Sequence, residues 1–167
     1  HGFHLAIEAR GTFLLVLGPE FWVILNMINN DKEINNYKKP MKRRIIFTEK
    51  APLPVGPYNQ AIMIGKVLYI SGQIAINPET GVLNLETIEI ETTLVMKNLK
   101  SILEAAKMNF ENVIKSTIFI SDMNNYSKIN EVYGQFFNPE NAPARETVEV
   151  ANLPKFVNVE ISMIAAL

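Results

Sequence analysis

The 167-residue sequence contains no cysteine, and its only histidines are His1 and His4. These absences exclude a disulfide framework, a thiolate nucleophile, a cysteine-based zinc site and, beyond residue 4, imidazole chemistry. No apolar run approaches the ~18 residues of a membrane-spanning helix, because Gly18, Pro19 and Glu20 interrupt the apolar stretch between Gly11 and Asn30. Charge of one sign is also lacking: the net charge is −1, which gives the whole chain no bias toward nucleic acid or anionic lipid. What remains is an ordinary globular composition, 48% hydrophobic, 20% charged and 9% aromatic, at a length that suits one domain on the guide of ~100–200 residues. Its chemistry must come from carboxylates, amides, hydroxyls, lysines and arginine.

The charge is unevenly spread. Residues 1–44 carry seven Lys/Arg against four Asp/Glu, a balance of +3, and residues 45–167 carry nine against thirteen, a balance of −4. The basic cluster Lys38–Arg44 reads more readily as a solvated linker than as an RNA contact. Within residues 45–167, Arg145 is the sole arginine among eight lysines.

Two segments are expected. Residues 1–41 form an N-terminal extension or linker, whose readings are an artefactual extension, an organelle-targeting or membrane-leaning segment, and a packing element. Asn29–Pro40 is lysine- and asparagine-rich, as linkers are, and Met41 is a candidate natural start. Residues 42–167 form the domain. Arg43–Phe47 is a short strand, followed by an extended loop at Ala51–Pro57, which contains Pro52, Pro54 and Pro57. Ala61–Ile64 and Val67–Ser71 flank Gly65-Lys66, the spacing of a two-residue hairpin. Asn77–Gly81 is a turn cluster. Ile88, Val95, Leu99, Ile102, Leu103 and Ala106 recur at helical spacing, predicting a helix over Glu89–Lys107 with Glu91, Lys97, Lys100 and Glu104 on its other faces.

Val113–Ser121 is β-branched and reads as a strand. Tyr126, Ile129, Tyr133 and Phe137 mark a second helix starting near Asp122 or Asn124, and Glu146–Val150 and Val157–Ala165 are strands around a Leu153-Pro154 turn. The order β, β-hairpin, α, β, α, β, β predicts an α+β fold with a mixed sheet and both helices on one face, in a ferredoxin-like layering.

The last strand alternates, with Val157, Val159, Ile161 and Met163 on one face and Asn158, Glu160 and Ser162 on the other. On pattern alone Glu160 is a solvent-facing carboxylate, and Arg145, placed just before a strand, is a surface arginine at a loop end of the kind that often binds ligands. Ser71 and Thr147 lack a histidine partner for nucleophilic catalysis. Phosphate-loop and dinucleotide patterns are absent, and the acids lack metal-ligand spacing, so neither metal nor cofactor is expected.

Six segments in order, Gly56-Pro57-Tyr58-Asn59-Gln60-Ala61, Ser71-Gly72-Gln73-Ile74, Asn77-Pro78-Glu79-Thr80-Gly81, Pro143-Ala144-Arg145, Val148–Pro154 and Val159-Glu160-Ile161, resemble the RidA/YjgF family. The likeness runs from about Arg44 to Ala165. It implies a chorismate-mutase-like α+β fold, a homotrimer with clefts between subunits, and hydrolysis of 2-aminoacrylate or 2-iminopropionate to a 2-oxo acid and ammonia. It also implies that Arg145 is the carboxylate clamp and Glu160 the site glutamate, with Tyr58, Ser71, Gly72, Asn130 and Thr147 lining the substrate cleft. Thr147 stands where many members have cysteine, Glu146 where a small residue is frequent, and Ser162 where a second acid occurs.

The residue inventory agrees with that chemistry. A guanidinium fork matches a planar carboxylate better than a lysine point charge does, and a partly desolvated carboxylate suits proton transfer from water. The alternatives are an endoribonuclease or translation inhibitor acting on RNA, against which stand the −4 balance and the missing histidines, and a non-catalytic trimer that binds small carboxylates. No membrane partner is expected. The compartment is read as cytoplasmic, or an organelle if residues 1–41 are a targeting extension.

Overall fold

The computed structural model describes residues 5–9 and 12–16 as backbone strands, and residues 42–167 in full. The chain divides into two units, His1–Met41 and Lys42–Leu167. In the first, β1 (Leu5–Ala9) pairs antiparallel with β2 (Thr12–Val16), Leu5 opposite Val16 and Ala9 opposite Thr12. Neither strand is expected from the sequence pattern, and the Asn29–Pro40 linker expectation lies outside the described residues.

The second unit contains β3 (Arg43–Ile46), β4 (Ala61–Ile64), β5 (Val67–Gln73), helix α1 (Ile88–Ala105), β6 (Val113–Ile120), helix α2 (Tyr126–Gly134), β7 (Ala144–Glu149) and β8 (Val159–Ala166). The strands form one mixed sheet in the order β3-β4-β5-β8-β6-β7. Only β6 and β7 run parallel; the other neighbours are antiparallel. This is the α+β arrangement expected. Among the described residues no helix is long and apolar enough to cross a membrane.

Helix α1 starts at Thr87, whose hydroxyl accepts from the Ile90 N–H at 3.2 Å, satisfying one of the donors a helix start leaves open. It stops earlier than Lys107, which adopts φ 62°. Val95, Met96, Leu99, Ile102 and Leu103 are fully buried, each contributing about 1.5–3 kcal/mol of apolar burial. They pack on the sheet face made by Val159, Ile161, Met163 and Ala165 of β8 and by Leu68 and Ile70 of β5. Asp122 caps a short 3₁₀ turn, Met123–Asn125, that leads into α2. That helix ends at Gly134, short of Phe137, whose ring still packs on Tyr133 and Phe110.

Two expectations are corrected. Arg145 lies inside β7, not before it: the parallel ladder opens at Lys115 opposite Ala144, directly after Pro143, which has no N–H to offer a ladder. Glu91, read as lying off the buried face, is wholly buried, because three N–H groups around Asn158 and Val159 satisfy its carboxylate.

The proline-rich loop before β4 is held from inside by Gln60, which is 2% exposed. Its Oε1 accepts from the Thr48 N–H at 2.8 Å, and its Nε2 faces the carbonyls of Thr48, Ala51 and Pro52 at 2.9–3.1 Å. Removing this amide leaves buried backbone groups without partners, so Gln60→Ala is expected to lose about 2 kcal/mol of stability. In a melt this lowers Tm by roughly 5–10 °C, and limited proteolysis should cut first within residues 48–58.

Candidate active site

The residues singled out above fall into two groups. The first forms around an irregularity in β5. Ile70 faces Met163 of β8 and the next pairing is Gln73 with Ile161, so β5 carries one extra residue, a bulge at Ser71-Gly72. The Ser71 hydroxyl donates to the Asn59 carbonyl at 2.7 Å and its N–H to the Gln60 carbonyl at 3.0 Å, tying the Tyr58 loop to the bulge. Gln73 closes it from below, its Nε2 donating toward the Ser71 and Gly72 carbonyls. Tyr58 is half exposed, and its hydroxyl accepts from the Val55 N–H at 3.3 Å.

The bulge turns Gly72 toward Glu160. A Cβ on Gly72 would lie 1.8 Å from Oε1 and 2.9 Å from Cγ of that glutamate. Gly72 does not adopt a left-handed backbone, so the glycine is required for space and not for torsion. Burial against this surface raises the Glu160 carboxyl above its ordinary value of 4.5, since loss of hydration disfavours the charged form.

The second group sits on β7 and α2. Tyr126, Asn130 and Tyr133 fall on one stripe of the helix at spacings of four and three. The Arg145 Nη1 donates to Asn130 Oδ1 at 2.8 Å, and Nη2 donates to the Tyr126 hydroxyl at 3.1 Å. Its Cζ lies 5.0 Å from the Tyr133 ring centroid, within cation–π range. The Tyr133 hydroxyl donates to Ser116 Oγ at 2.9 Å. Burial pushes this phenol up, although the Ser116 bond and the arginine act the other way. The group borders a cleft of about 400 Å³ whose lining includes Asn130, Tyr133, Gly134, Phe137, Pro143 and Arg145. Thr147, two residues along β7, faces the same side. Two of the five guanidinium N–H groups are used, and among the described residues no carboxylate pairs with Arg145.

The two groups do not meet within one chain. Arg145 is opposite Ser116, which is buried under α2, whereas Glu160 is opposite Phe119 on the other side of β6. Alternation along β6 therefore sets the arginine on the helix-covered side and the glutamate on the open side. Among the described residues no cluster of His, Asp or Glu is placed to hold a metal ion. In the sequence Tyr126 is marked only as a helix position, and nothing local marks Glu91 as buried.

A family model described as Endoribonuclease L-PSP matches residues 48–167. The chain belongs to the RidA/YjgF family. It is 50% identical over 123 residues to a RutC family protein of Pyrococcus horikoshii, covering 74% of this chain and 97% of that one. It is 42% identical over 123 residues to the human 2-iminobutanoate/2-iminopropanoate deaminase, covering 74% and 89%. Among solved structures, Escherichia coli TdcF with bound serine matches with a TM-score of 0.70 at 41% identity, over 74% of this chain and 98% of that one. In this RidA/YjgF chain, Gly72→Ala is expected to fold with a loss of about 1–3 kcal/mol from overpacking. It should also drive the Glu160 side chain outward, returning its carboxyl titration toward the ordinary value in carboxyl NMR. An unmoved titration would show that the two residues are not in contact.

Proposed function

We propose that this RidA/YjgF chain hydrolyses 2-imino acids, and the enamines that tautomerise to them, to 2-oxo acids and ammonia. The observation that carries the reading is Arg145: a guanidinium oriented by Asn130 and Tyr126 at the edge of a cleft, with N–H groups to spare and, among the described residues, no carboxylate paired with it. A half-exposed cation held in one orientation is pre-organised for a planar carboxylate. The human relative named as a 2-iminobutanoate/2-iminopropanoate deaminase supports the substrate class, and the serine bound to TdcF supports an amino-acid-like ligand. Against RNA cleavage stand the −4 balance and the absence of histidine from residues 45–167.

In the proposed reaction Arg145 holds the substrate carboxylate with Asn130 and Thr147 beside it, and Tyr58, Ser71 and Gly72 line the other wall. Glu160 takes a proton from water as the water oxygen bonds to the electrophilic C2 of the iminium. Glu160 then returns that proton to the amino nitrogen, which departs as ammonia as the carbinolamine collapses to the ketone and its hydroxyl proton passes to water. No covalent enzyme intermediate is required, because the imine is already activated and the enzyme supplies orientation and proton transfer. No metal or cofactor is assigned a role.

The separation of Arg145 and Glu160 supports a composite site, the arginine group of one chain closing on the glutamate group of a second copy. A homotrimer provides three such clefts, and the exposed Tyr69, Ile114 and Val148 offer apolar surface for its assembly.

The test generates 2-aminoacrylate in situ and follows pyruvate. Arg145→Ala is expected to lower kcat/KM by about 100-fold or more, and Arg145→Lys should fall between it and wild type. Wild-type rates in Arg145→Ala would remove the clamp. Mixing Arg145→Ala with Glu160→Gln chains should restore activity to a fraction of the sites, since some clefts then combine the two intact halves.

The pH dependence follows from the sign of the Glu160 shift. The working form is the carboxylate, so activity is full above its raised pKa and is lost as pH falls through it. The acid limb of the kcat/KM profile should therefore lie above the ordinary range for glutamate and vanish in Glu160→Gln.

A further inference from the structure

Among the described residues, Glu91 is the only charged side chain that is completely buried. It stands in the first turn of the eighteen-residue α1, where the positive end of the helix favours a carboxylate. Oε1 accepts from the Asn158 N–H at 2.7 Å and the Val159 N–H at 3.3 Å, and Oε2 accepts from Asn158 Nδ2 at 2.9 Å. Asn158 is gripped from the other side as well, where its carbonyl accepts from the Ser121 N–H at 3.1 Å and its Oδ1 lies 3.3 Å from Ser121 Oγ.

This grip falls where β8 most needs it. Immediately upstream, Lys155 and Phe156 both adopt φ 57°, a left-handed conformation that is sterically costly for side chains with a Cβ. Phe156 is 81% exposed, so packing around its ring does not hold the turn. The chain enters β8 through Asn158 and Val159, and Glu160 is the next residue. The buried carboxylate of the helix thus holds two backbone N–H groups at the start of the strand, immediately before Glu160. An apolar side chain in the same place is often as stabilising as a buried charge, but it cannot fix the height and direction of two backbone N–H groups.

We propose that Glu91 is a positioning residue for Glu160, holding the entry of β8 through Asn158 and Val159 so that the Glu160 carboxylate is kept against the Ser71-Gly72 bulge. The inference rests on the deaminase reading for its kinetic consequence but not for its structural one. Arg145, which anchors the substrate, lies across the sheet from Glu160 and is oriented by Asn130 and Tyr126 of α2, whereas Glu91 bonds to Asn158 and Val159, so loss of Glu91 should disturb proton transfer and leave carboxylate binding alone.

Three full-length variants test this. Glu91→Gln turns an amide NH₂ toward Asn158 Nδ2, donor against donor; Asn158→Asp sets two carboxylates together; the double variant Glu91→Gln/Asn158→Asp restores complementarity with the carboxylate moved across the contact. Each single variant is expected to lower kcat about tenfold or more and leave KM within about twofold. Each should also shift the acid limb of the pH profile and the Glu160 titration in carboxyl NMR. The double variant should recover most of kcat. A merely structural role predicts a lower Tm with kcat and the Glu160 titration unchanged. That result would overturn the proposal, as would parallel changes in kcat and KM, or a double variant no better than the singles. If the wild type releases no pyruvate, the deaminase reading falls and the Glu160 titration alone decides: shifted in both single variants and restored in the double, it sustains the positioning role, and unshifted it ends it.

Discussion

The domain is organised by the two-residue period of β6. This strand borders β8 on one side and β7 on the other, so every residue of either neighbour is assigned to a face by the residue it meets on β6. Ser116, Ile118 and Ile120 are buried under the helices, while Lys115, Thr117 and Phe119 look outward. Arg145 inherits the first face and Glu160 the second. No rotamer change reverses that assignment, because a one-residue slip would carry every apolar residue of the strand out of the core. Arg145 and Glu160 are therefore as firmly separated within one chain as the core is firmly formed.

Around these two residues the polar groups are well satisfied, and no buried side-chain nitrogen or oxygen among the described residues lacks a partner. Arg145 and Glu160 depart from that economy in opposite ways. The arginine keeps donors uncommitted, and the glutamate is desolvated without a cation beside it. For Glu160 the linkage sign is plain: with the folded pKa raised, its contribution favours the folded state below the unfolded value and is lost as pH rises through the folded pKa. The proposed catalysis needs the ionised form, which is the form that favours folding least. Residues arranged this way suit a site better than a scaffold.

What the sequence reveals depends on how local each determinant is. The β4–β5 hairpin was legible because Gly65, at φ 60°, makes its turn within four residues. Helix α1 and the alternation of β8 were legible because burial repeats along each element. The start of β7 was not, since a parallel edge strand is defined by a partner 29 residues away, and the bulge at Ser71-Gly72 shows only when β5 is aligned with β8. Glu91 was misread because its justification lies across the fold at Asn158. Arg145 was legible as a position but not as a role: composition made it unusual, the family resemblance suggested a clamp, and only the α2 stripe explains how the guanidinium is aimed.

Glu146 shows how the same strand geometry bears on the proposed clamp. It follows Arg145 directly, and an acidic neighbour beside a carboxylate clamp would weaken the clamp by competing for the guanidinium and repelling the ligand. In a strand, however, adjacent residues point to opposite faces. Glu146 accordingly lies over β6 on the open face, where Lys115 and the Thr117 hydroxyl engage its carboxylate. Its charge is neutralised by a lysine on the far side of the sheet from Arg145, and the side chain is withdrawn from the guanidinium. Glu146 therefore acts on the open face, where Ser162 sits opposite Thr117, and leaves the proposed Arg145 clamp undisturbed.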